Sequence, residues 1–305
     1  MKHSSRRRRF LVLAAAGYVL ASLPAAGAES PEQNKTVGIA LGGGGARGLA
    51  HVEMLTVLDE LGIKPRLIAG TSMGAVMGAL YASGHSAAQI KSIVNDALAR
   101  ESSSTGFFHK ELLEWIHLVD PAINQETLLS SGDFIAFLHD QIGPRTFADL
   151  KIPLLVVAAD IQRREQVILH EHELIPALEA SIAFPGLFSP VVLNDRVLVD
   201  GGIVNPVPYD LLIGHCDITI AVDVAGRRTV APNPNPAFFE VISESFQTME
   251  NSILQAKMKV QPPNIYVKPD LIDIHLLDFG KAQEIYRQAR PAQAELRRSL
   301  QKLLL

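Results

Sequence analysis

Ser72 stands at the centre of the pentapeptide Gly70 to Gly74, in which small residues flank a serine. The pentapeptide follows an apolar stretch, and Gly70 and Gly74 let the backbone turn sharply where a strand gives way to a helix. Such a turn leaves the serine hydroxyl exposed, as a nucleophile requires. Glycine and serine are also common in ordinary tight turns, so the pentapeptide by itself leaves both interpretations open.

A run of glycines lies upstream of Ser72, at residues 42–48. It joins a predicted strand to a predicted helix, which places unobstructed backbone N–H groups at a helix N-terminus. We predict that this run forms an oxyanion hole, made by Gly43, Gly44, Gly45, Arg47 and Gly48. Arg47 could orient the loop or attract a phosphate, and a purely structural charge is the other interpretation.

The same glycines also match the spacing of a dinucleotide-binding loop, with Gly43, Gly45 and Gly48 at the fingerprint positions. That interpretation requires an acidic residue at the end of the second strand, where this chain has residues 70–72, Gly-Thr-Ser. A P-loop requires Gly-Lys-Ser/Thr after the glycines, and the sequence has none. We therefore expect no nucleotide at this loop.

The third element is Asp200, which follows an apolar run and precedes Gly201 and Gly202. A carboxylate at the carboxyl end of a strand in an α/β sheet faces the crevice where such sheets bind ligands. An Asp-Gly hairpin turn is the alternative. We predict that Asp200 is catalytic and that the two glycines complete its motif.

These residues could carry out acyl transfer. Ser72 would attack an ester carbonyl, the N–H groups near Gly44 and Gly45 would stabilise the oxyanion, and Asp200 would accept the serine proton and return it to the leaving alcohol. Aspartate is a weaker base than histidine, but burial would raise its pKa.

A Ser-Asp-His triad is the alternative, and it would need a histidine after Asp200. Only His215 and His275 follow it. His215 precedes a predicted strand and should lie at the far end of the sheet, whereas His275 lies in a segment with no clear pattern. His51, in the helix after the glycines, is expected to pack against or brace the loop.

Strand-like and helix-like segments alternate around these motifs. Residues 36–41 and 65–69 have the apolar pattern of buried strands, and residues 49–61 and 75–81 that of helices. Such alternation is typical of an α/β fold.

Taken together and in this order, the three motifs resemble the patatin-like phospholipase family, and specifically its bacterial branch. Further similarity lies in residues 156–160, 180–188 and 220–223. The resemblance covers roughly residues 36–225. It implies a three-layer α/β/α fold with a mainly parallel central sheet, hydrolysis of an acyl ester, and a Ser-Asp dyad without a catalytic histidine. It does not identify the lipid.

The N-terminal residues 1–28 have the pattern of a secretory signal peptide. Four arginines precede an apolar stretch, and a small-x-small site ends at Ala28. Cleavage there would leave residues 29–305 as the acyl hydrolase domain and would remove five basic residues from a chain whose net charge is already −4. We therefore expect a periplasmic or secreted protein.

Composition limits the partners. An acidic chain gains little from nucleic acid, the single cysteine, Cys216, cannot form an internal disulfide, and no Cys/His metal pattern is present in the sequence. We expect a lipid or acyl-ester substrate, with transient contact to a membrane or micelle surface, and no metal, cofactor or nucleic acid.

Two further segments are notable. Residues 107–116, after a serine-rich stretch, carry three aromatics and read either as a mobile lid that faces lipid or as a helix packed on the domain edge. Beyond a proline-rich connector at 231–236, residues 238–258 and 280–304 are predicted to be helices around a strand at 265–267. We expect this helical extension to pack on the same domain.

Three functions fit these patterns. The one we favour is a serine hydrolase of lipid acyl esters. The alternatives are a carboxylesterase or thioesterase for small soluble substrates and a non-catalytic lipid-binding protein on the same scaffold.

Overall fold

The computed structural model describes residues 35–101, 132–229 and 235–304. Its centre is an eight-stranded sheet in the order β5-β6-β3-β2-β1-β7-β8, with β4 paired to β3. The strands are β1 Val37–Leu41, β2 Leu67–Thr71, β3 Leu154–Asp160, β4 Glu165–Leu169, β5 Val191–Leu193, β6 Arg196–Asp200, β7 Ile218–Val222 and β8 Ile265–Val267.

Five neighbouring strands, from β8 through β7, β1 and β2 to β3, are parallel. The remaining pairs, β3 with β4, β3 with β6 and β5 with β6, are antiparallel. The mainly parallel sheet predicted from the sequence is therefore confirmed.

The α-helices of the described residues pack on both faces of this sheet. They are α1 His51–Glu60, α2 Met73–Ala82, α3 Ala87–Glu101, α4 Gly132–Ile142, α5 Leu174–Ile182, α6 Phe238–Val260 and α7 Ala282–Leu304. In addition, a 3-10 helix, Gly45–Ala50, follows the glycine run.

Alternating strand residues divide the core between the two faces. Ile39 and Ile220 belong to the larger cluster, with α1, α2 and α7, whereas Ala40 and Ala221 belong to a smaller cluster on the other face that includes Leu254 of α6. These clusters give the three layers that the sequence predicted. The predicted helix at 238–258 is confirmed as α6, and the helix predicted after the glycines begins as a 3-10 turn.

The arrangement of strands along β3 positions the site. β4 pairs along one edge of β3, so β2 and β6 share its other edge: Thr71 pairs with Val157, and Asp200 pairs with the next residue, Ala158. Because β2 and β6 run in opposite directions, their carboxyl ends meet end to end. Ser72, which follows β2, and Asp200, which ends β6, are thereby brought together.

Several predictions concern residues that the structure does not describe. The signal peptide at 1–28 and the segment at 107–116 both lie outside the described residues, as do positions 231–234 of the connector. The periplasmic or secreted location stays a prediction. Within the described ranges, none of the helices combines the length and apolar character needed to span a bilayer.

Candidate active site

Ser72 occupies the sharp turn between β2 and α2. Its backbone has φ 54° and ψ −128°, a left-handed conformation that residues other than glycine rarely adopt. The flanking glycines make the turn sterically feasible: a Cβ on Gly74 would overlap the carbonyl of Leu41, and one on Gly70 would overlap Ala75. The backbone therefore makes the sharp strand-to-helix turn that a nucleophile elbow requires.

Ser72 and Asp200 are joined by a short hydrogen bond. The Ser72 hydroxyl donates to Asp200 Oδ2 at 2.6 Å, and the other carboxylate oxygen, Oδ1, accepts from the Gly202 N–H at 2.8 Å. The second glycine of the motif thus orients the carboxylate, while the first, Gly201, lies so close to the Val157 carbonyl that a side chain would overlap it. The serine motif and the aspartate motif therefore meet in the fold.

The reason for the convergence differs from the one expected. The sequence predicts that Asp200 faces the crevice because it ends a strand of an α/β sheet. β6 in fact runs antiparallel to β3, so Asp200 reaches the serine because β6 meets β2 end to end.

Burial changes the acidity of Asp200. The side chain is 4% exposed, and desolvation raises its pKa from 3.8 to about 6, although the hydrogen bonds from Ser72 and Gly202 favour the ionised form. Asp200 is therefore a stronger base than a solvated aspartate, and it is still ionised at neutral pH.

Ser181, on α5, contacts the site, although its sequence pattern indicates no such role. Its hydroxyl accepts the backbone N–H of Ser72 at 2.9 Å and donates to the Val157 carbonyl at 2.6 Å. Ser181 is fully buried. It ties the strained elbow to the neighbouring strand, and it occupies the Ser72 N–H, which is then not an oxyanion donor.

The glycine run folds against the elbow and leaves two N–H groups available. Gly43 donates its N–H to the Pro206 carbonyl at 3.0 Å, and Ala46 donates to the Leu276 carbonyl at 2.8 Å. Among the described residues, the N–H groups of Gly44 and Gly45 have no hydrogen-bond acceptor. Gly43 is thus part of the loop that the sequence identified, but its N–H is already bonded, so only the N–H groups of Gly44 and Gly45 remain as candidate oxyanion donors.

Arg47 braces this loop from within the protein. It is 3% exposed, its Nε donates to the Gly44 carbonyl at 3.2 Å, and its Nη1 donates to Gln247 Oε1 on α6 at 2.6 Å. Burial lowers its pKa. Of the roles left open by the sequence, orientation of the loop fits these contacts.

His51 and Gly48 support the loop from the other side. His51 Nε2 lies 2.8 Å from the Gly42 carbonyl in a fully buried position, and burial lowers its pKa to about 4. It is neutral at pH 7 and donates to that carbonyl, which agrees with the predicted bracing role. Gly48 is required because a Cβ there would overlap Met73.

Neither histidine of the alternative triad contacts the dyad. His215 lies just before β7, whose parallel pairing with β1 places that end at the amino edge of the sheet. His275 is exposed, and its Nδ1 lies 3.2 Å from Arg228 Nη2. Within the described residues, the partner of the Ser72 hydroxyl is a carboxylate rather than an imidazole.

A cleft opens over the dyad and combines polar and apolar walls. Phe184, Phe246 and Leu276 supply apolar surface, and the Phe184 and Phe246 rings lie 4.7 Å apart between centroids. The polar wall is formed by three side chains of α6, namely Ser243, Gln247 and Glu250. In the described part of the chain, no three His, Cys, Asp or Glu side chains are grouped to hold a metal ion.

Comparison with known proteins places this geometry in context. The family model of the patatin-like phospholipases matches residues 39–213, more than half of the chain. The chain is 35% identical over 209 residues to an uncharacterized NTE family protein of Mycobacterium tuberculosis, a match that spans 68% of this chain and 53% of that protein.

Two further proteins are more distant. The chain is 27% identical over 278 residues to a lysophospholipase, NTE1, of Candida glabrata, and the match spans 83% of this chain but 15% of the yeast protein. Among solved structures, the ExoU-SpcU complex of the Pseudomonas aeruginosa type III secretion system aligns with a TM-score of 0.44 and 19% identity, over 89% of this chain and 52% of that one. The chain thus spans about half the length, or less, of these proteins.

Proposed function

This chain belongs to the patatin-like phospholipase family, and from that premise we propose that it is a serine hydrolase of lipid acyl esters that uses a Ser72-Asp200 dyad. The observation that carries the proposal is the 2.6 Å hydrogen bond from the Ser72 hydroxyl to Asp200 Oδ2. A nucleophile held by a base within hydrogen-bond reach is the arrangement that covalent acyl transfer requires.

The steps follow from the positions of these groups. Ser72 Oγ attacks the ester carbonyl carbon while its proton passes to Asp200, and the oxyanion accepts hydrogen bonds from the Gly44 and Gly45 N–H groups. Collapse of the tetrahedral intermediate breaks the ester C–O bond, and Asp200 returns the proton to the leaving alcohol. Water then attacks the acyl-enzyme while Asp200 accepts its proton. Collapse of this second tetrahedral intermediate breaks the bond to Ser72 Oγ, Asp200 returns the proton to that oxygen, and the carboxylic acid is released.

A lipid substrate is supported by the walls of the cleft. Phe184, Phe246 and Leu276 give an acyl chain apolar contacts beside the nucleophile. The name of the yeast relative, a lysophospholipase, supports the same substrate class. Mass spectrometry of the products formed from a mixed bacterial lipid extract would distinguish phospholipids, lysophospholipids and other esters as substrates.

The proposal is tested on the dyad. Ser72→Ala and Asp200→Asn should each lower kcat by at least about 10³-fold, and the double mutant should be little worse than either single, because residues that act as one unit are not additive. A fluorophosphonate should label the wild type on Ser72 and leave Ser72→Ala unlabelled.

Three results would reject parts of this proposal. A folded wild type that neither reacts with the fluorophosphonate nor hydrolyses any ester would favour a lipid-binding protein. Effects of the two substitutions that multiply in the double mutant would reject the dyad. A chain-length series in which short soluble esters are hydrolysed better than micellar ones would favour the carboxylesterase or thioesterase alternative.

A further inference from the structure

Glu250 is a carboxyl group in the cleft that the proposed mechanism does not use. It lies on α6, one turn after Phe246, and lines the same cleft as Ser72 and Asp200. Its carboxyl rests on Gly202: a Cβ built on that glycine would overlap Glu250 Oε1 and would lie 3.3 Å from Asp200 Oδ1. The two carboxyl groups therefore lie side by side at the catalytic end of the cleft.

The surroundings of Glu250 disfavour a second negative charge. Burial raises its pKa to about 8, and repulsion by Asp200 on β6 and by Asp223 after β7 acts in the same direction, while Arg47 opposes them. The Arg47 guanidinium directs its hydrogen bonds to Gln247 and the Gly44 carbonyl. Within the described residues no donor is hydrogen-bonded to Glu250, so its carboxyl is free to face a bound substrate.

Its position assigns it to the alcohol side of an ester. Asp200 must reach the leaving oxygen to return the proton, and the Glu250 carboxyl lies beside that of Asp200. A protonated carboxyl can donate a hydrogen bond there, whereas an ionised one can only accept.

We propose that Glu250 selects substrates by the charge of their alcohol portion: its neutral carboxyl donates a hydrogen bond to an oxygen of that portion, and its ionised form disfavours esters that carry a negative charge there. An acyl ester of a polyol phosphodiester carries such a negative charge and is therefore the class of ester that tests this role. This inference rests on the proposed ester hydrolysis.

The test compares two soluble, monomeric esters that differ in one group. One is a short-chain monoacylglycerol, and the other is the same molecule with a methyl phosphodiester, whose charge is constant from pH 6.5 to 9.5. In the wild type, kcat/KM for the phosphodiester divided by kcat/KM for the neutral ester should fall about tenfold as pH rises through 8. The repulsion between two like charges several Å apart is large enough to produce a change of that size. Taking the ratio cancels any effect of pH on Asp200.

In Glu250→Gln the same ratio should be independent of pH, because the amide cannot ionise. Glu244→Gln is the matched control: it removes a carboxylate from the same helix at a position outside the cleft lining, and it should keep the wild-type decline. Glu250→Met, of similar volume, is a second variant if the amide does not fold, and its ratio should also stay flat.

The outcomes separate this inference from the proposed function. A wild type that hydrolyses neither ester rejects the proposed function. A wild type that hydrolyses both with a constant ratio, or a decline that persists in Glu250→Gln, overturns the role of Glu250. Infrared difference spectra between wild type and Glu250→Gln should also show a protonated carboxyl band at pH 6.5 that disappears by pH 9.5, and absence of that band would overturn the inference without reference to turnover.

Discussion

In the proposed mechanism, Asp200 acts as the base without a histidine. Its carboxylate is buried, accepts two hydrogen bonds, and touches the serine it must deprotonate. Desolvation supplies basicity and the hydrogen bonds supply orientation, two roles that a triad divides between histidine and aspartate. The same raised pKa means that Asp200 becomes protonated, and can no longer accept a proton, in mild acid.

The first prediction is that kcat/KM falls on the acid side of its pH profile. Because burial raises the pKa of Asp200 to about 6, kcat/KM for a soluble neutral ester should fall about tenfold per pH unit below that value. His215→Gln and His275→Gln should keep both this fall and most of the activity. A well-folded His275→Gln that is as inactive as Ser72→Ala, together with an active Asp200→Asn, would replace the dyad with a triad.

A second prediction concerns stability. In the unfolded chain Asp200 titrates near 3.9, so between about pH 4 and pH 6 the folded state binds more protons. Wild-type stability therefore falls as pH rises through that interval and stays lower above it, by about 3 kcal/mol for two pKa units. Asparagine removes this dependence.

The measurement is the free energy of unfolding of Asp200→Asn relative to wild type at pH 4 and at pH 7. The relative stability of the variant should be higher at pH 7. Asparagine cannot replace both hydrogen bonds of the carboxylate, so the informative quantity is the change in relative stability between pH 4 and pH 7, not its value at either pH. An equal difference at pH 4 and pH 7 would show that Asp200 is not destabilised by burial.

The site residues that could be predicted from the sequence lie in local motifs, whereas the others act through contacts made only in the fold. Ser72, Asp200 and the glycines could be found because each lies in a local motif whose backbone needs are visible in the sequence. The roles of Ser181 and Glu250 could not, because each side chain acts across the fold. Ser181 accepts a hydrogen bond from the Ser72 N–H, and Glu250 lies on a helix beyond the family-model match at 39–213. A buried serine in a helix carries no local signal.

At the scale of elements, the site depends on close contact between backbones. α2 lies against β1 so tightly that Gly74 has no room for a side chain, and the oxyanion loop continues from that strand. The sequence predicted both the strand and the helix but not their separation. It also predicted that Asp200 ends a strand at the site, but it could not predict that this strand runs antiparallel to β3, because strand direction depends on tertiary pairing.

This contact gives the third prediction. Gly74→Ala places a methyl group against the Leu41 carbonyl, and α2 must move away from β1, so we expect a loss of several kcal/mol in unfolding free energy, about 3 or more, and a severe loss of activity. Gly280→Ala is the control, because no atom lies within 4 Å of its Cβ position and its φ is not positive. Equal melting temperatures for both variants would show that the elbow tolerates the displacement.

At the scale of the whole molecule, the apolar wall of the cleft comes from distant parts of the chain. Phe184 follows α5, Phe246 lies on α6, and Leu276 precedes α7, so these side chains meet only when the sheet and its outer helices have assembled. Sequence periodicity predicted the helices and the fold class, but it could not show that α6 covers the dyad. That arrangement requires the tertiary packing of Leu254 and its neighbours against the sheet.

The last prediction concerns aggregated lipid, the substrate form that would need a docking surface on the molecule. Residues 107–116, predicted from the sequence to form a lid, lie outside the described residues, and Phe107→Ser, Phe108→Ser is the variant that tests them. A lid that meets lipid should matter for micelles and little for a monomeric ester. We therefore expect the double variant to lose about tenfold or more of its micellar activity, to keep its soluble-ester activity, and to melt at the wild-type temperature. Equal losses on both substrates with a lowered melting temperature would instead identify these aromatics as part of the core.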